Sequence, residues 1–227
     1  NSHTHPDHSA GNWVFRGLPI FVPREGFATS GNIPVLAKRL TNAQLAPYWE
    51  RYVRDSLGFR DCPPTDSYAA GHIFRFCGIA LEPVATPGHT KDHYCFYEPN
   101  LKILFSFDYD LTSFGPWYGH RESSIEEFRK SIAYLRELDV NVWVSGHKGI
   151  ITKDIKKQLD EFDAKFNARD EKIITLLKNG CRTINQLVEK APIYGKFTYA
   201  EPLLRYWEKN MIGKHLEQLL NQDRIIR

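Results

Sequence analysis

Within Ser2-His3-Thr4-His5-Pro6-Asp7-His8, three imidazoles and a carboxylate fall in the order H-x-H-x-D-H. These are the donor types that zinc, iron and manganese accept. Alternate residues of an extended segment point the same way, so His3 and His5 can grip one ion together. Asp7 and His8, past the bend, can serve a neighbouring ion. Four donors on one turn do not complete two metal sites, so more are required at loop positions that follow strands. Three segments supply them. Thr86-Pro87-Gly88-His89-Thr90 puts a His on a turn directly after an apolar strand, Phe105-Ser106-Phe107-Asp108 ends a strand with a carboxylate, and Ser145-Gly146-His147 follows the apolar run Val140 to Val144.

Taken in order, these motifs over roughly residues 1–150 resemble those of the metallo-β-lactamase superfamily: H-x-H-x-D-H, a PGHT-type His, a strand-end Asp and a late G-H. The resemblance implies an α/β protein with an αββα sandwich and a dinuclear centre. His3, His5 and His89 would hold one ion, Asp7, His8 and His147 the other, and Asp108 would bridge them. The implied cofactors are two divalent metal ions, zinc first, with iron and manganese as alternatives. Two such ions about 3.5–4 Å apart make water nucleophilic at neutral pH. Asp7 would be the catalytic residue that orients this water and takes its proton. Thioester hydrolysis, lactone or amide opening and phosphodiester cleavage all fit.

Three departures from the family pattern stand out. Phe107 occupies the place before the bridging Asp where superfamily members usually have a small residue, which predicts a crowded wall. Asp110, two residues on, is the fallback for the bridge. The strand-rich half that precedes H-x-H-x-D-H in the family is not in the sequence, so the sandwich is expected to lack its amino-terminal strands. The ligand set contains no Cys, unlike the zinc-β-lactamases that use a thiolate, and has His5 where the flavodiiron branch has Glu.

Phe114-Gly115-Pro116-Trp117-Tyr118-Gly119 follows the candidate bridge, and Phe114, Trp117 and Tyr118 are expected to bind substrate, with Tyr118 a potential donor to an oxyanion. His93 is expected to pack or hydrogen-bond within the next strand. His72, His120 and His215 are expected to play no special part.

The elements that must position these groups can be read in outline. Leu18 to Val22 reads as a short strand, and the spacing of Leu36, Leu40, Leu45, Trp49, Tyr52 and Val53 predicts one or two helices between Val35 and Leu57. Paired strands are predicted from His72 to Pro87 with a turn at Gly78, then strands at His93 to Tyr97 and Ile103 to Phe107. Ser124 to Leu138 reads as a capped amphipathic helix, followed by a buried strand at Val140 to Val144. From about Lys153 to Lys178 a charged helix is predicted, then short helices at Ile184 to Lys190, Tyr199 to Trp207 and Gly213 to Asn221. This divides the chain into a metal-binding domain, 1–152, and a small helical, winged-helix-like domain, 153–227.

The 227 residues are 42% hydrophobic with a net charge of +3, enough for a buried core and far from the profile of a dedicated nucleic-acid binder. Four cysteines without a CxxC pair read as reduced thiols. No apolar run suits a membrane span and no leader layout is visible, so a cytoplasmic protein without a membrane partner is expected. Lys209, Lys214, Arg224 and Arg227 could contact nucleic acid, but interleaved acidic residues favour a packing or dimerisation role, with a homodimer as one outcome. The expected function is hydrolysis of a small ester, thioester or lactone. The alternatives are a metal-dependent ribonuclease, a non-catalytic sensor and a mononuclear iron oxygenase on the same fold.

Overall fold

The computed structural model describes residues 1–226; Arg227, counted above among the basic residues of the tail, lies outside the described residues. In chain order the elements are α1 (Pro6–Ser9), β1 (Phe21–Pro23), α2 (Ile33–Leu40), α3 (Ala46–Leu57), β2 (Asp66–Tyr68), β3 (Phe74–Phe76), β4 (Ile79–Ala85), β5 (Tyr94–Glu98) and β6 (Ile103–Phe107). They continue with α4 (Ile125–Glu137), β7 (Val142–Ser145), β8 (Gly149–Ile151), α5 (Ile155–Lys178), α6 (Ile184–Lys190) and α7 (Glu201–Asn221).

Strands β3 to β8 form one sheet in sequence order. All neighbours are antiparallel except β6 and β7, which run parallel. The parallel pair needs a crossover, which α4 supplies. This topology collects the chemistry at one end. β4, β6 and β7 point the same way, so the loops that carry His89, Asp108 and His147 leave the sheet side by side. His93 enters β5 at the same end, and the Tyr94 amide donates to Ser2 O (3.0 Å), which ties the H-x-H segment there too.

One face of the sheet is covered by helices. Ser124 caps α4 by accepting the Glu127 amide, and Ile125, Phe128, Ile132 and Leu135 face inward. They join Cys95, Leu104 and Trp143 of the sheet, Phe162 and Phe166 of α5, and Met211 and Leu219 of α7 in one hydrophobic cluster. Residues on both sides of position 153 therefore share a core. On the opposite face lies a two-stranded parallel sheet, β1 with β2. Its Tyr68 ring packs 5.3 Å from Tyr94 and 5.5 Å from Phe96, and Phe21 lies 5.5 Å from Phe74. The second sheet is thus represented by two three-residue strands.

The stretch read as two short helices from Tyr199 to Asn221 is the single helix α7. Gly213 does not break it, because it faces α6, where a Cβ would sit 3.9 Å from Ile184. Among the described residues no strand follows β8, so the helical segment carries no wing. No helix among the described residues is long and apolar enough to cross a membrane.

Candidate metal centre

The chain turns sharply inside the H-x-H-x-D-H motif. His5 is extended and Pro6 opens the one-turn helix α1, with Ser9 Oγ and the His8 amide both bonded to His5 O. His3 and His5 therefore project together, and Asp7 and His8 come round on the following turn. Two donor groups result, each with ligand atoms within 4.8 Å of one another: His3, His5, His89 and Asp108, and Asp7, His8, Asp108 and His147. Asp108 belongs to both. Its Oδ2 lies 3.0 Å from His89 Nε2, and its Oδ1 lies 2.7 Å from His8 Nε2 and 3.5 Å from His147 Nε2. Asp110 joins neither group, since its Oδ1 accepts the Thr112 amide and hydroxyl.

The donor set passes a simple test of fit to cations. His3 Nε2, His8 Nε2 and Asp108 Oδ1 are buried and have no hydrogen-bond partner, although the last two are close neighbours. Orphaned buried polar atoms are costly unless something else satisfies them, and a shared positive ion does so. The electrostatics agree. Burial pushes the Asp108 carboxyl up, but the surrounding His89 and His3, then His147 and His8, outweigh it and hold it well below the usual carboxylate range. Burial keeps His3 and His5 well below the usual imidazole range. At His8 burial acts downward too, but Asp108 and Asp7 prevail and raise it to about 10.

Outer partners fix which nitrogen of His89 and of His5 faces inward. His89 Nδ1 donates to Trp117 O (2.8 Å), leaving the Nε2 lone pair toward the centre. His5 presents Nδ1 to the same point, 2.8 Å from His89 Nε2, and its Nε2 meets His120 Nδ1 at 2.8 Å. His120, to which the sequence assigned no part, is thus a buried partner of a candidate ligand. His93 hydrogen-bonds as expected: its Nδ1 lies 2.8 Å from Thr86 Oγ1, and its Nε2 accepts the Asp108 amide (3.4 Å). Beneath the motif, Arg39 of α2 pairs with Asp92 (2.8 Å) and Glu122 (2.6 Å) and donates to Thr4 Oγ1 (2.7 Å). Thr4, on the face opposite His3 and His5, in turn donates to Asp92 (2.6 Å). No short motif announces this hub, because its members lie far apart in the chain.

Phe107 has a left-handed backbone (φ +52°) at a register shift between β6 and β7. That turn swings Asp108 off the strand, which is a physical reason for small residues before it; a side chain there costs roughly 1 kcal/mol. The expected crowding does not follow, because the Phe107 ring rests on Phe96 (5.8 Å) and the edge of His8 (6.2 Å) and is not among the residues lining the cleft.

A cleft of about 520 Å³ opens over both donor groups. Phe114 and Trp117 line it, as the sequence suggested. Tyr118 does not. It is wholly buried, donates to His215 Nε2 (2.6 Å) and accepts from Arg169 (3.0 Å), so its role as a substrate donor is corrected to one in the core. The alternation is simple: Trp117 faces the cleft, and its neighbour turns inward. His215 passes the relay on to Asp170 (2.7 Å), so it too has a part the sequence did not reveal. His72 is exposed beside Phe74.

No family model matches the chain. An atrochrysone carboxyl ACP thioesterase of Aspergillus fumigatus is 27% identical over 120 residues, covering 52% of this chain and 36% of the relative. A thioesterase of Emericella nidulans is 30% identical over 115 residues, 51% of this chain and 32% of the relative. The chain thus spans about a third of the length of these curated relatives. Among solved structures, a metallo-β-lactamase family protein from Thermus thermophilus superposes with a TM-score of 0.76 at 23% identity, covering 100% of this chain and 75% of that one. At this level of identity the likeness shows that the chain has the metallo-β-lactamase fold.

Proposed function

We propose that the chain is a metal-dependent hydrolase whose dinuclear centre cleaves small acyl substrates: esters, thioesters or lactones. The observation that carries this is the pair of donor groups sharing Asp108 under a cleft lined largely by rings. His3, His5 and His89 would hold one ion, Asp7, His8 and His147 the other, and Asp108 both. Imidazole and carboxylate donors without a thiolate suit zinc, with iron and manganese as alternatives. When bound, such ions lower the pKa of water and offset the charge that grows on an attacked carbonyl oxygen.

The chain's own groups do the rest. Asp7, partly exposed at the cleft and 3.4 Å from His8 Nε2, accepts the proton of the attacking water. The water oxygen bonds to the acyl carbon, the C–S or C–O bond breaks, and the thiol or alcohol departs with a proton. Phe114 and Trp117 hold the acyl body and exclude bulk water. The thioesterase names of the relatives support a thioester in particular. A nucleic-acid substrate is less favoured, since no Lys or Arg is among the described residues that line the cleft. In the tail, Lys214 is engaged by His120 O, and Arg224 by Asp170 and Glu171.

The test is thiol release from simple acyl thioesters by zinc-loaded protein and by the same protein treated with chelator. Turnover that disappears with the metal and returns on its addition is expected. No release above the chelated control with any acyl group would overturn the proposal.

A further inference from the structure

The cleft wall is assembled from three separate parts of the chain. α3 contributes Trp49 and Tyr52, the loop after β6 contributes Phe114 and Trp117, and the helical segment contributes Tyr199 and Trp207. The rings continue into the ligand set. Trp117 stands edge-on to Trp207 (5.6 Å between centroids, 77°), to His120 (4.7 Å, 80°) and to His5 itself (5.8 Å, 88°). At the mouth, Tyr199 and Leu57 are 60% and 40% exposed, so apolar surface runs from the donor groups outward. Apart from the hydroxyls of Tyr52 and Tyr199, the polar lining side chains are those of the ligand set, its partner His120, and Asp110, Thr112 and Ser113. Beyond them nothing charged is available to receive a phosphate or a carboxylate on the body of a substrate.

Resting on the hydrolase reading, we propose that this cleft selects a flat, uncharged aromatic acyl group, a fused-ring ester or thioester, over short or flexible aliphatic ones. A volume of about 520 Å³ is ample for such a body. Rings prefer offset or edge-to-face contact with other rings, and each good contact is worth up to roughly tenfold in affinity. A rigid ring system also gives up no rotamer freedom on binding, whereas an alkyl chain of similar area does. In the reaction the acyl carbon gains the water oxygen and the C–S or C–O bond breaks. The products are an aromatic carboxylic acid and a free thiol or alcohol. The helical segment after residue 153 acquires a part here, since Trp207 and Tyr199 close one side of the slot.

The experiment uses the full chain loaded with zinc. The probes are 2-naphthoyl, octanoyl and acetyl thioesters of N-acetylcysteamine, with 2-naphthamide as an uncharged analogue that is not turned over. Wild type is expected to bind 2-naphthamide saturably, with quenching of tryptophan fluorescence, because Trp49, Trp117 and Trp207 all line the cleft. It should process the naphthoyl thioester with a kcat/KM at least tenfold above the octanoyl one. Trp207→Leu should lower that naphthoyl-to-octanoyl ratio about tenfold. Tyr199→Leu, at an exposed position that folding tolerates, should lower it two- to threefold. A ratio of one or below in wild type, or a ratio unmoved in Tyr199→Leu, overturns aromatic selection. If thioesters are cleaved without preference, the hydrolase reading survives and aromatic selection fails. If 2-naphthamide binds but no thioester is cleaved, the hydrolase reading fails and ring binding stands.

Discussion

Replacing Arg169 by Met tests how the helical segment supports the proposed metal centre. Arg169 of α5 is 4% exposed, and its guanidinium donates to Pro116 O (2.6 Å), Phe114 O (2.6 Å) and Tyr118 Oη (3.0 Å). Its flat face also lies over the Phe114 ring, 4.9 Å from the centroid. These bonds hold the loop whose next carbonyl, Trp117 O, orients His89. Met preserves much of the volume but leaves two carbonyls and the Tyr118–His215–Asp170 relay short of a donor. Each charge-assisted bond contributes roughly 1.5–3 kcal/mol, and they are not additive. With three such bonds lost and their acceptors left buried, about 4 kcal/mol is expected. For a chain of this size that lowers the melting temperature by roughly 8–16 °C. The loosened loop should also weaken the ion held by His3, His5 and His89 by roughly 10- to 100-fold, as the loss of an outer partner does. Arg169→Lys, which keeps the charge but not the fork, should fall between the two. Differential scanning fluorimetry and competition with a chromophoric chelator measure both effects. A variant that melts within 2 °C of wild type, by roughly the error of this scaling, and holds both ions as tightly would refute the reasoning.

Other perturbations follow from the same geometry. Gly88→Ala should cost at least about 2 kcal/mol in urea unfolding, because Gly88 has φ +131° and a Cβ would lie 2.3 Å from the Phe128 backbone; a loss below about 0.5 kcal/mol, within the range of neutral surface changes, would contradict this. His120→Phe should leave the fold intact yet weaken one ion by roughly 10- to 100-fold, since it removes only the partner of His5 Nε2; titrations in which both ions bind as tightly as in wild type would count against it. Burial pushes Asp92 up, but Arg39 and then Thr4 and Thr90 hold it below the usual carboxylate range. The sign follows: its contribution is present above the unfolded pKa near 4 and is lost as pH falls through the depressed folded value. Asp92→Asn should therefore lose roughly 3 kcal/mol at pH 7, with the gap to wild type closing below pH 4, and a gap that widens in acid would exclude the linkage.

That the candidate donors come together was legible, because metal chemistry restricts donor types and topology restricts where they sit. His89, Asp108 and His147 each follow a strand, and the parallel step from β6 to β7 brings those strand ends together. Helix α4 was readable from its cap and periodicity, and α5 from its run of charged residues. What escaped depends on tertiary context. Tyr118 and Trp117 are adjacent aromatics, and only the packing of α5 and α7 decides which one turns inward. The outer partner His120 and the Arg39–Asp92–Glu122 hub join residues with no local pattern between them. Strands β2 and β8 are three residues each, too short for alternation to register. Gly213 reads as a break in isolation, but α7 is packed on several sides and carries it.

The central claim is that Asp108 is shared by two ions held in separate donor groups, and the metal content of single variants tests it most directly. Elemental analysis of wild type, Asp108→Ala, His89→Ala and His147→Ala, each purified without chelator and checked for folding, should give about two ions for wild type. His89→Ala and His147→Ala should each keep about one, and Asp108→Ala close to none. Asp108→Ala with the same content as the two single-site variants, or wild type with no bound metal, would contradict the account.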